Sequence, residues 1–160
     1  MENTCLCDSG SKPEDCCVPL IRDGKSALNP LQLMRARYYA HKSGILDFII
    51  RTSLPSTQKD IDPTMLKKWL NSCNWISFKI FRWAETGKHD GFVEFKASYL
   101  QEDVLKVHHE FSYFMKIGGL WYYSHGAYPK AVNQESQSKN SLCFCGSGKK
   151  FKRCCWAKKN

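Results

Sequence analysis

Apolar residues recur at helical spacing early in the chain and at strand spacing later, with the change near residue 74. Asn29-Pro30 reads as an N-cap followed by proline at the first helical position, where the missing N–H costs nothing. Behind it Leu31, Leu33, Met34, Ala36, Tyr38 and Tyr39 keep helical spacing, which predicts a helix ending about Gly44. A shorter helix is expected over Ile45–Thr52, with Ile45, Leu46, Phe48, Ile49 and Ile50 largely buried. Asp62-Pro63 repeats the start signal, and Leu66, Trp69 and Leu70 carry a third helix. The neighbouring Cys73 is read as a small apolar packing group.

From Asn74 the period becomes two. Trp75–Glu85 is predicted as a strand, with Trp75, Ser77, Lys79, Phe81 and Trp83 on one side and Ile76, Phe78, Ile80 and Arg82 on the other. Thr86-Gly87-Lys88 turns it, further strands are expected over Gly91–Tyr99 and Val107–Lys116, and Gly118-Gly119 turns into Leu120–Ser124. Three helices followed by an antiparallel run predict an α+β fold, helices packed on one curved sheet. On this pattern Trp75, Trp83, Trp121, Tyr122 and Tyr123 are core beneath the sheet rather than a platform for bases.

Cysteine spacing adds a different kind of information. Cys5-x-Cys7 and Cys16-Cys17 recur with the same internal spacing as Cys143-x-Cys145 and Cys154-Cys155, leaving only Cys73 of nine cysteines outside the two sets. Four thiols in a short window suit a tetrahedral Zn²⁺, whereas C-x-C and C-C pairs reach disulfide geometry only with strain. No charged and apolar leader precedes Cys5, which predicts a reducing, cytoplasmic setting, and there clustered cysteines bind metal. Two structural Zn²⁺ sites are therefore expected, the C-terminal one the stronger. Its Gly146 and Gly148 permit a tight turn, and Lys149, Lys150, Lys152 and Arg153 offset the charge of four thiolates. The first copy has Asp8 for Gly146, Pro13 for Phe151 and Glu14-Asp15 for the basic pair.

The run Cys143-x-Cys145-Gly-Ser-Gly-Lys-Lys-Phe-Lys-x-Cys154-Cys155 resembles the SEC-C motif, the small zinc module at the C-terminus of the translocase ATPase SecA. There the fourth ligand is often His; Cys155 takes that place here. Such segments at both ends, with Leu33-Met-Arg-x-Arg-Tyr38, Val93-Glu-Phe-x-Ala97, His109-Glu-x-Ser-x-Phe114 and Trp121-Tyr-Tyr-x-x-Gly126 between, resemble the YchJ family of bacterial proteins. The resemblance implies the cone-shaped fold of the nuclear transport factor two superfamily for the middle. It departs at Leu120, where a basic residue is common, and at His125, where an acidic one is. The expected division is a zinc motif over 1–25, a central domain over 26–130, a linker over 131–141 and a second zinc motif over 142–160.

Charge narrows the function. Of the net +9, residues 1–25 carry −2 and residues 139–160 carry +7, so the positive field belongs mainly to the C-terminal motif. No apolar run approaches the length of a membrane span. The titratable candidates of the middle are His108, His109, Glu110, Glu94, Tyr113 and His125; alternation lets at most one of His108 and His109 face the interior. They read as hydrogen-bonded strand residues, and no catalytic residue is assigned. The reading is a zinc-binding interaction protein whose C-terminal motif docks through Lys149, Lys150, Lys152, Arg153, Phe144, Phe151 and Trp156 on an acidic protein surface. By analogy with SecA, that surface belongs to secretion or ribosome-associated machinery. The alternatives are a ligand-binding or catalytic cone and a nucleic-acid-associated protein acting through the basic tail.

Overall fold

The computed structural model describes residues 3–129, 138–143, 147–154 and 156–157. Four helices precede four strands: α1 (Val18–Ile21), α2 (Pro30–Ser43), α3 (Leu46–Arg51), α4 (Pro63–Ser72), β1 (Asn74–Glu85), β2 (Asp90–Gln101), β3 (Val104–Ile117) and β4 (Leu120–Ala127). The strands form one antiparallel sheet in sequence order.

The helix starts follow the side-chain chemistry read above. Asn29 Oδ1 accepts from the Gln32 N–H at 2.9 Å, and Asp62 Oδ1 accepts from Thr64 at 2.8 Å and Met65 at 3.2 Å. Proline follows each cap. Gly118 and Gly119, both with positive φ (58° and 83°), make the tight turn between β3 and β4.

The sheet wraps around α2. Leu33, Met34, Ala36, Tyr38 and Ala40 of that helix are buried with Phe78, Val93, Phe95, Ala97, Phe114 and Trp121 of the strands. The far edge of the sheet is closed by the segment after α3: Tyr123 donates its N–H to Thr52 O and accepts from Leu54 N, each at 2.8 Å. That contact turns a four-stranded meander into one wall of a cone.

Two register shifts in β1, between Trp75 and Ser77 and between Ile80 and Arg82, break the strict alternation expected there. Trp75 and Phe78, assigned to opposite faces by period, both meet Tyr38: Phe78 stacks at 4.2 Å and Trp75 approaches edge-on at 5.8 Å. Among the aromatics expected in the core, Trp121 is buried, Trp75 and Tyr123 pack against the core cluster and Tyr122 is half-buried, but Trp83 is 40% exposed. Its side chain belongs to the outer face, beside Phe81 at 47% exposure. Cys73 is half-buried and burial raises its thiol pKa, as suits packing rather than thiolate chemistry.

Candidate functional site

The first cysteine motif folds onto the body of the protein. Cys5, Cys7 and Cys17 are buried in the same apolar cluster as Leu20, Leu33 and Phe78. Asp8, standing where the second copy has glycine, adopts a left-handed backbone (φ 57°) that Asp tolerates better than most residues. Its carboxylate then accepts from the Phe78 N–H at 2.9 Å, tying the motif to β1. Arg35 of α2 adds a bond from Nη1 to Cys7 O at 3.0 Å.

The four Sγ atoms of Cys5, Cys7, Cys16 and Cys17 all lie within 4.8 Å of one another. Cys7 and Cys16 are 3.5 Å apart and Cys16 and Cys17 3.7 Å, far beyond a disulfide bond. A tetrahedron with Zn–S bonds of about 2.3 Å has edges of about 3.8 Å, so the thiols stand at the spacing zinc requires. The cluster can hold a metal ion. In the free thiol state the four share charge unevenly. The hydrogen bond with Cys17 holds Cys7 down to about 4 against the effect of burial, and that same bond, with burial, pushes Cys17 up. Burial raises Cys5 to about 11. One thiolate held by neighbouring thiols is a centre that a dication completes by displacing protons.

The second motif repeats several backbone and side-chain contacts of the first. Cys5 N–H reaches Ser11 O at 2.7 Å, and Cys143 N–H reaches Lys149 O at 2.8 Å. A 3-10 turn over Pro13–Asp15 corresponds to one over Phe151–Arg153, and each is closed by the following cysteine N–H at 3.1 Å. Ser9 Oγ lies 3.3 Å from Cys16 Sγ, and Ser147 Oγ lies 3.1 Å from Cys154 Sγ. Cys145, Cys155 and Phe144 lie outside the described residues.

Lys149, Lys150, Lys152 and Arg153 are all exposed. Phe151, assigned above to a docking face, instead turns inward at 2% exposure. It occupies the place of buried Pro13 in the first copy and packs with Leu100 and Leu105 of the β2–β3 hairpin, where an apolar ring gains more than in water. Trp156 is half-buried beside it, edge-on at 5.7 Å, with Lys139 Nζ 4.4 Å over its ring.

The cone encloses a cavity of about 390 Å³. Alternation along β3 separates its histidines as expected: His108 and Glu110 line the cavity, while His109 bonds Glu94 on the other face at 2.9 Å. His125 stacks on Tyr113 at 4.8 Å, and both are exposed away from the cavity. Glu110 is 5% exposed. Its Oε1 accepts from Ser112 Oγ at 2.8 Å and Tyr123 Oη at 2.9 Å, and its Oε2 pairs with His108 Nε2 at 2.6 Å. Burial would raise its pKa, but these bonds from His108, Ser112 and Tyr123 hold it below the ordinary carboxylate value.

Two further cavity residues escaped the sequence reading, Arg37 and His41 of α2. Both fall on the stripe of Leu33, Met34 and Tyr38, and polar groups at apolar positions of a helix were the available signal. His41 Nδ1 lies 2.7 Å from Arg37 O, and a carbonyl only accepts, so that nitrogen carries the proton. Burial first, and the Arg37 charge second, pull the ring down to about 4 and keep it neutral.

Known proteins share this architecture. The family model for the YchJ middle NTF2-like domain matches residues 29–126, and the SEC-C motif model matches residues 140–157. A UPF0225 protein of Geobacter sulfurreducens is 35% identical over 161 residues, spanning 98% of this chain and 100% of its own. Another from Actinobacillus succinogenes is 36% identical over 158 residues, spanning 98% and 99%. The solution structure of a SEC-C motif containing protein from Rhodopseudomonas palustris superimposes with a TM-score of 0.74 at 32% identity, covering 79% of this chain and 98% of that one. The crystal structure of a SEC-C motif containing protein from Psychrobacter arcticus gives 0.66 at 30%, covering 94% and 88%.

Proposed function

Because the chain belongs to the UPF0225 family, with a YchJ-type middle domain and a SEC-C motif, we propose that it is a zinc-stabilised interaction protein whose basic C-terminal motif docks on an acidic protein surface. The observation that carries the metal half is the spacing of the Cys5, Cys7, Cys16 and Cys17 thiols. Zinc held there contributes four bonds and leaves no open position, so its role is structural. The matching backbone of the second motif supports a second zinc on Cys143, Cys145, Cys154 and Cys155.

The docking half rests on charge and exposure. Lys149, Lys150, Lys152 and Arg153 face solvent on a tail without a single acidic residue from position 139 onward. A four-thiolate zinc centre carries about −2, which these cations exceed, leaving positive potential for a partner. Phe151 serves as the anchor that seats the motif on the β2–β3 hairpin, with half-buried Trp156 packed beside it. The SEC-C likeness to SecA makes secretion and ribosome-associated machinery the first partners to test.

Elemental mass spectrometry of the purified protein, with affinity capture at low and high salt, tests both halves. About two zincs per chain are expected, and changing Lys149, Lys150, Lys152 and Arg153 to glutamine should abolish capture while leaving zinc content unchanged. Absence of zinc from chains with reactive thiols overturns the metal reading; capture insensitive to the glutamine variant overturns the docking reading.

A further inference from the structure

The central cavity is lined by a cation, Arg37, and by one carboxylate, Glu110, whose oxygens are bonded to other donors. Arg37 is 5% exposed and lines the cavity. Among the described residues no carboxylate comes within ion-pair distance of it. Its hydrogen bonds to the described residues all leave from Nη1, to Ile49 O at 2.8 Å, Thr52 Oγ1 at 2.7 Å and Ser53 Oγ at 3.4 Å. They fasten one corner of the guanidinium to the end of α3. The remaining edge, Nε–H and Nη2–H, is one that a carboxylate grips with two parallel bonds. Among the described residues neither nitrogen has a hydrogen-bond partner, and the side chain lines the cavity.

Glu110 does not fill this role. Its oxygens are taken by His108, Ser112 and Tyr123, and the Tyr123 ring stands against Arg37, 4.6 Å from the guanidinium carbon. The Glu110 charge offsets part of the cost of burying this guanidinium without forming a direct ion pair with it. Desolvation draws even this guanidinium down to about 10.

The rest of the cavity describes the body of the ligand. At about 390 Å³ it falls in the range of small-molecule sites, and the rings of Tyr38, Trp69, Trp75, Phe95 and Tyr123 share its walls with aliphatic side chains such as Ile49 and Leu66. Of its two imidazoles, His41 is held neutral and His108 is bonded to Glu110. Trp69, 37% exposed, and Tyr128, 66% exposed, mark the side open to solvent.

We propose that the cavity binds a small aromatic carboxylic acid, its carboxylate paired with the free edge of Arg37 and its ring among Tyr38, Trp69 and Trp75. This site is independent of zinc and of docking by the tail. The test is titration of the full chain with benzoate and indole-3-acetate against the neutral isosteres benzamide and indole-3-acetamide, followed by NMR of the tryptophan indole N–H signals. Saturable binding of an acid that moves the Trp69 and Trp75 signals, at least tenfold tighter than its amide, is expected. Arg37→Met should erase that preference, and Arg37→Lys, which keeps charge but not the planar fork, should fall between. Because Arg37 also fastens α3, the acid-to-amide ratio on the unaltered protein decides even where a variant folds poorly. Equal affinity for acid and amide, no saturable binding of either acid, or shifts confined to the basic tail each overturn the proposal.

Discussion

Replacing Gly126 with alanine should unsettle the interior of the cone from an edge strand. A Cβ built on Gly126 lies 2.5 Å from Glu110 Cδ and nearer still to Oε1, so the carboxylate must leave its seat. Three donors then lose their acceptor: Ser112 Oγ, Tyr123 Oη and His108 Nε2. Water entering through the cavity can serve His108, whose side chain is 33% exposed, and in part Tyr123. Ser112, at 0% exposure, is the donor least able to recruit it. A lost bond to a charged acceptor is worth about 1.5–3 kcal/mol, and overpacking adds about 1–3 where the neighbour does not yield. A net loss of about 3 kcal/mol follows, a fall in Tm of roughly 6–12 °C for a chain of this size. Thermal denaturation followed by circular dichroism measures it, and the same substitution in a Glu110→Ala background is the control. With the carboxylate gone, the added methyl should cost under about 0.5 kcal/mol, so the two changes should couple strongly. Equal losses in both backgrounds, or no loss in the parent, would refute the reasoning.

Other consequences can be measured on the same material. Cys17→Ser should remove one zinc per chain and lower stability by about 3 kcal/mol or more, because that motif shares the main core. Cys154→Ser, in the small cluster around Leu100 and Leu105, should move the main thermal transition far less; equal shifts would count against this difference. His41 has a folded pKa of about 4 against an ordinary 6.5, so its stabilising contribution is full above 6.5 and is lost as pH falls towards 4. That loss is at most about 2 kcal/mol for a partly exposed ring, and His41→Phe should flatten the stability profile across this window. Glu110, held below its ordinary 4.5, stabilises above that value and releases its contribution as pH falls beneath it. Glu110→Gln should therefore be less stable than the parent at pH 7 but show a shallower acid limb in denaturant titrations.

Much of the architecture was legible because it depends on neighbours in sequence. Asn29-Pro30 and Asp62-Pro63 announce their helices, since the cap is a bond between residues two or three apart. The period-two stretches gave the four strands, although β2, β3 and β4 each run further than Gly91–Tyr99, Val107–Lys116 and Leu120–Ser124. His108 and His109 separate as alternation requires, one to the cavity and one to Glu94. Trp83 and Trp75 were harder: the two shifts in β1 redistribute its side chains, and no short-range pattern marks where a strand takes an extra residue.

The chemistry divides along the same line. Sequence by itself determined the first thiol set, because a cluster assembled from residues within one short loop is written in their spacing, and it determined the concentration of positive charge at the C-terminal end. Only the tertiary structure decided which way Phe151 faces, because its burial depends on Leu100 and Leu105, some fifty residues earlier in the chain. The cavity is likewise a product of long-range packing. Arg37 and His41 come from a helix, Ser53 from the segment after the next, and His108, Glu110 and Tyr123 from two strands. Each has an ordinary local reason for its position, and they become one site only when the sheet closes over α2 and excludes water from the space between them.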